Sequence, residues 1–145
     1  MLFTKYGEEH FARSIVKHII QEREKKRIET TRELAEIIKK AYPKKDSKIH
    51  PATKVFQALR IAVNDELNVL KEALPKALAV LAPEGRLVVI SFHSLEDRIV
   101  KHLFQDFAQQ GFGRIVTDKP IIPGEQELTQ NNRARSAKMR VFEKI

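Results

Sequence analysis

Val88-Val89-Ile90-Ser91-Phe92-His93-Ser94-Leu95-Glu96-Asp97-Arg98 changes character within one residue. The apolar run reads as the end of a short strand, Arg86 to Ser91, with no polar alternation and so buried on both faces. Ser91, His93 and Ser94 then bring polar groups to its carboxyl end. Glu96 and Asp97 open the next helix, where carboxylates meet the positive end of the helix dipole. Ser94 and Asp97 have the spacing of a capping pair. Strand into helix is the unit of an open α/β sheet, and in such sheets ligands sit beyond the carboxyl ends of the strands. The expected fold class is therefore α/β, with chemistry at Ser91, Phe92 and His93. The ordinary alternative is that Ser94 is only a cap and His93 only a strand-end residue bonded to backbone.

Downstream, a helix is expected from Ser94 to Gln110, with Ile99, Val100, Leu103, Phe104 and Phe107 facing inward. Residues 113–117 and 138–142 read as two further strands, joined by a long loop with Pro120, Pro123, Gly124 and the run Asn131 to Ser136. Strand 86–91 should pair with 138–142, with 113–117 outside it and its own other edge unpaired. A strand apolar on both faces normally has two neighbours in a parallel sheet, so this sheet reads as part of a larger one.

Upstream the chain is helical. Glu8 to Glu24 carries Phe11, Ala12, Ile15, Val16 and Ile19 on one stripe. Thr30 and Glu33 have capping-box spacing and open a second helix, with Leu34, Ile37, Ile38 and Ala41, that stops before Pro43. Lys44 to Lys48 is a polar linker and marks the boundary between subregions. His50-Pro51 begins a longer helix with Phe56, Leu59, Val63, Leu67 and Leu70 in register, and Pro75 should kink it or start a new helix over 75–82.

Composition narrows the function classes. The 145 residues carry a net charge of +8, with 42% hydrophobic and 32% charged residues and no cysteine. Disulfides and thiolate-bound zinc are excluded. No apolar run is long enough to span a bilayer, and a cytoplasmic location is expected. Residues 1–54 hold 14 Lys and Arg against 8 Asp and Glu, residues 55–110 hold 6 against 7, and residues 111–145 hold 7 against 4. Basic ends around a near-neutral middle suit a polyanion such as RNA, or are solvated helix faces. Arg60 and Asn64 share a helix face, as substrate contacts or as a surface salt link. Arg133 and Arg135 lie in an asparagine-bearing loop that suits phosphate. The five glycines, at 7, 85, 111, 113 and 124, form no phosphate-cradling loop after a strand. The histidines show no trusted ligand pattern with carboxylates, so no metal is expected.

Four stretches taken together are more specific: Tyr6 to Ala12 (YGEEHFA), His50 to Leu67 (HPATKVFQALRIAVNDEL), Ile90 to Lys101 (ISFHSLEDRIVK) and Asn132 to Lys138 (NRARSAK). Long, ordered and spread over nearly the whole chain, they resemble the bacterial 16S ribosomal RNA cytosine-N4 methyltransferases, the MraW family. The resemblance implies the C-terminal half of a Rossmann-like, S-adenosylmethionine-dependent methyltransferase. Residues 1–49 would end its helical, RNA-recognising insertion, and residues 50–145 would supply three strands of the sheet. The target would be a cytidine in the decoding region of 16S RNA in the 30S subunit. The family's glycine-rich loop and acidic ribose ligand belong to the other half, so no cofactor-binding residue is assigned here.

A cytosine amine is a poor nucleophile and must be aimed in a dry pocket, with proton loss late. From their position, Ser91 and His93 are the candidate catalytic residues, orienting the base, with His93 also a candidate proton acceptor. Phe92 is a candidate to stack on it, and Arg60, Asn64, Arg133 and Arg135 are candidates to hold the RNA. The rival class is a non-catalytic basic RNA-binding or ribosome-associated module. A homodimer, or association with the other half of the enzyme, follows from the unpaired strand edge.

Overall fold

The computed structural model describes residues 1–42 and 50–145, so the linker at Lys44–Lys48 lies outside the described residues. By its contacts the chain divides into two compact units, Met1–Glu66 and Leu67–Ile145.

The first unit is helical: α1 (Leu2–Gly7), α2 (Ala12–Lys25), α3 (Thr31–Lys40) and α4 (Thr53–Asn64). The capping box forms as the spacing requires. Thr30 Oγ1 accepts the Glu33 N–H at 3.1 Å, and the Glu33 carboxylate accepts the Thr30 N–H at 3.0 Å. Helix α1 is absent from the sequence reading, and α2 starts at Ala12 rather than Glu8, because the chain turns at Glu8 in the left-handed region (φ 47°). That turn lets α1 lie close against α4. A Cβ on Gly7 would stand 2.6 Å from the Lys54 carbonyl oxygen, so only glycine permits the approach. Helix α4 in turn satisfies the end of α1: Gln57 Nε2 donates to the Tyr6 carbonyl and Lys54 Nζ to that of Glu8, both at 3.3 Å.

Ile15, Ile38, Ala41, Ala52 and Val55 form the core of this unit. Glu9 is buried beside it, accepting the Phe11 N–H at 2.8 Å and the Tyr42 hydroxyl. Burial and then the Glu9 carboxylate push the Tyr42 hydroxyl upward from its ordinary pKa. The inward face of α4 differs from the expected one. Val55, Ala58 and Ile61 are buried, while Val63 is 81% exposed. The helix is apolar on several sides, and its neighbours choose the side.

The second unit contains α5 (Glu66–Val80, which begins one residue before the division), β1 (Arg86–Ser91), α6 (Ser94–Gln109), β2 (Gly113–Ile115), α7 (Glu125–Gln130), a 3-10 turn (Asn132–Ser136) and β3 (Lys138–Lys144). Pro75 does not start a new helix. The break comes ten residues earlier, at Asp65 in the left-handed region (φ 51°), and α5 runs through Pro75. A short polar side chain tolerates that backbone, and Pro75 lies on the exposed face, where the carbonyl it leaves unpaired can meet water.

The strand order is β1-β3-β2, as expected, and both pairings are antiparallel. Val88 faces Val141 and Ser91 faces Lys138 across the β1–β3 ladder. Leu74 and Leu78 of α5, Val100, Phe104 and Phe107 of α6, and Phe142 of β3 make the core, with Leu87 and Val89 packed against it. The Phe104 and Phe142 rings meet at 5.4 Å and Phe107 and Phe142 at 5.8 Å. Burying each such ring contributes about 1.5–3 kcal/mol.

Burial of β1 on both faces does not hold. Val88 and Ile90 are 52% and 54% exposed, because the helices of this unit cover only the face that carries Leu87 and Val89. Among the described residues β1 pairs with β3 alone, so its second edge is open. No helix among the described residues is long and apolar enough to cross a membrane.

Candidate functional site

The carboxyl end of β1 gathers three of the candidate residues. Ser91 is buried, Phe92 is 54% exposed, and the His93 side chain is nearly buried. The helix cap is His93, not Ser94. His93 sits before α6 in extended backbone, and its Nδ1 accepts the Glu96 N–H at 3.3 Å. Glu96 answers by accepting the Phe92 N–H at 2.8 Å. This is the reciprocal logic of a capping box, with an imidazole where a hydroxyl is usual. Accepting at Nδ1 requires a lone pair there, so a neutral ring carries its proton on Nε2. Nε2 is buried, 3.3 Å from Glu96 Oε1, an ion-pair distance without hydrogen-bond alignment. Burial pushes the Glu96 carboxyl up, but His93 and the Phe92 N–H outweigh it and hold it below its ordinary value.

Asp97 is not a capping partner. It is buried, and takes Arg140 Nε at 2.7 Å, Arg140 Nη2 at 3.3 Å and Lys138 Nζ at 3.3 Å. Burial raises its carboxyl, while Arg140 and then Lys138 overcome that and leave it lowered. The cluster ties the first turn of α6 to β3 directly opposite the end of β1. Sequence reasoning missed it because Asp97 and Arg140 are 43 positions apart, and the first-turn position of Asp97 reads locally as a capping acid.

Arg60 and Asn64 belong to α4 of the first unit, and Arg133 and Arg135 to the turn before β3. Arg60 and Asn64 do share a face, and they meet on one carboxylate. Arg60 grips Glu66 with Nε–Oε1 2.7 Å and Nη2–Oε2 3.0 Å, and Asn64 Nδ2 donates to Glu66 Oε1 at 3.3 Å. Arg133 and Arg135 are exposed on either side of the buried Ala134, in the 3-10 turn that leads into β3. Among the described residues neither has an ion-pair partner, so both are available to an anion.

The model of the MraW methylase family matches residues 1–145. The chain belongs to the MraW methylase family. A family relative from Sulfurihydrogenibium azorense, named ribosomal RNA small subunit methyltransferase H, is 52% identical over 146 residues, 99% of this chain and 50% of the relative. Proteins of the same name from Brevibacillus brevis and Streptococcus mutans are each 49% identical, over 97% and 99% of this chain and 50% and 51% of their own lengths. The chain thus spans about half the length of the curated MraW-family relatives it matches.

Proposed function

We propose that this chain is the C-terminal half of an S-adenosylmethionine-dependent methyltransferase that modifies N4 of a cytidine in 16S ribosomal RNA within the 30S subunit. The observation that carries the reading is the family match along all 145 residues, against relatives twice as long that bear an RNA methyltransferase name. The open edge of β1 agrees with it, since a further strand would complete the sheet there. In this reading residues 1–49 end an RNA-recognising insertion, residues 50–145 belong to the Rossmann-like domain, and the enzyme works in the cytoplasm.

The described residues do not fit the cofactor. S-adenosylmethionine would need a glycine-lined turn and a free acid for its ribose. Gly7, Gly85 and Gly113 stand against the carbonyls of Lys54, Ala82 and Glu143, Gly111 and Gly124 have open space but lie singly after α6 and before α7, and Asp97 is bound to Arg140 and Lys138. The cofactor therefore falls to the other half of the enzyme, and this half acts on the RNA. Phe92 offers an exposed ring on which the target base stacks. Ser91 and His93 orient that base. With Nδ1 committed to the cap and Nε2 buried, His93 does so by holding the turn that carries Phe92, rather than by taking the base's proton. Arg133 and Arg135 take RNA phosphates, and Arg60 and Asn64 contact RNA from the end of α4.

Titration calorimetry on the isolated chain tests the division of labour. No specific S-adenosylmethionine binding is expected, and micromolar binding would overturn it. Single-turnover methylation of 30S particles by the complete enzyme tests the reaction, where Phe92→Ala should slow transfer at least tenfold. The exposed, partnerless Arg133 and Arg135 favour a second reading, a basic RNA-binding module without catalysis. A chain that binds RNA but restores no methylation when joined to the other half would establish that alternative.

A further inference from the structure

We infer that the cleft between the end of α2 and the start of α3 is a binding site for one nucleotide of single-stranded RNA, built from other residues than the strand-end site. The inference rests on the RNA-modifying reading above and adds a second contact to it. The cleft measures about 370 Å³, at the lower end of the roughly 300–1,000 Å³ of small-ligand pockets. Ile28 and Ile37 give it an apolar lining, with Ile37 buried and Ile28 partly so. Arg27, Arg32 and Lys40 stand around it exposed, and none has a charged partner among the described residues.

The acids of the same cleft are mostly spent. Glu22 pairs with Lys25 at 3.3 Å. Glu33 accepts the Glu29 and Thr30 N–H groups and pairs with Lys26 at 3.1 Å. Among the described residues Glu36 alone of these acids has no partner, which leaves three such cations against one such carboxylate. A planar apolar body with an attached anion suits this arrangement. The base lies against the isoleucines and under an arginine plane, and the phosphate meets a second cation. The basic surplus of residues 1–54 draws a polyanion to this end of the chain. A base paired in a duplex cannot enter so small a cleft, which selects single strands.

The test is fluorescence anisotropy of the whole chain with a labelled nine-nucleotide single-stranded RNA carrying 4-thiouridine, over a range of salt. Arg27→Gln with Arg32→Gln should weaken binding about three- to tenfold and reduce the salt slope by about 0.7, one phosphate's worth for a single strand. Photocrosslinks should map to residues 26–40, and Ile28→Asp should abolish them while the circular dichroism spectrum is unchanged. If the wild-type chain binds and the glutamine variant matches it, the cleft is wrong and the RNA reading stands. Equal binding of a duplex of the same length, with no crosslink in 26–40, overturns the single-nucleotide assignment. If the wild-type chain binds no RNA at low salt, both the cleft and the RNA reading fall.

Discussion

The Nδ1 atom of His93 accepts the backbone N–H of Glu96 at 3.3 Å, which makes an imidazole the cap of α6. His93→Ala should therefore cost about 1 kcal/mol in urea unfolding, the usual loss on removing a cap, and more than Ser94→Ala costs. His93→Asn, which can cap, should recover that stability. If Asn also restores methyl transfer in the complete enzyme, His93 works only through the turn; if stability returns and transfer does not, the imidazole itself meets the base.

Asp97 and Arg140 form the buried pair of the second unit, with side chains 12% and 9% exposed. Asp97→Asn leaves Arg140 without a counterion and should cost about 3 kcal/mol, the low end for breaking a buried pair, since Lys138 remains partly hydrated. Because the folded Asp97 carboxyl is lowered, its contribution is complete above the ordinary aspartate range and is lost as pH falls through and below it. Acid titration of unfolding should show a component that Asp97→Asn removes; an unchanged profile would place the acid sensitivity elsewhere.

Glu33 tests the same linkage in the first unit. The Glu29 N–H, Lys26 and the Thr30 N–H lower its carboxyl from 4.5 to about 2. The stabilisation is present above pH 4.5 and disappears as pH falls toward 2. Helicity measured by circular dichroism should drop across that window, and Glu33→Ala should flatten the drop.

Gly7 and Gly113 should be intolerant of alanine. A Cβ would lie 2.6 Å from the Lys54 carbonyl oxygen at Gly7 and 2.0 Å from that of Glu143 at Gly113. Each substitution forces backbone apart and should cost about 1–3 kcal/mol by urea unfolding, as overpacking does. Gly124→Ala, with open space around it, serves as the control and should cost much less.

The open edge of β1 beside exposed Val88 and Ile90 should make the isolated chain self-associate. Sedimentation velocity should show species larger than monomer, and Val88→Lys or Ile90→Lys should shift them toward monomer. A monomeric wild-type chain at high concentration would show that the edge is protected.

What the sequence determined by itself was local or followed from chain order. The Thr30–Glu33 box needs residues three apart on a single turn, and Phe104 and Phe107 share a face by helical period, so both were legible without neighbours. The α/β class and the order β1-β3-β2 followed from the strand pattern and the family resemblance. Tertiary structure decided the rest. Helix α4 offers more than one apolar side, and the approach of α1 through Gly7 accompanies burial of Val55, Ala58 and Ile61. Asp97 is a capping acid by spacing and a buried ion-pair acid by position, because β3 brings Arg140 to it from 43 residues away. By spacing Ser94 was the cap and His93 only a strand-end residue. Only the extended backbone at His93, which turns its ring back onto the Glu96 N–H, assigns the role.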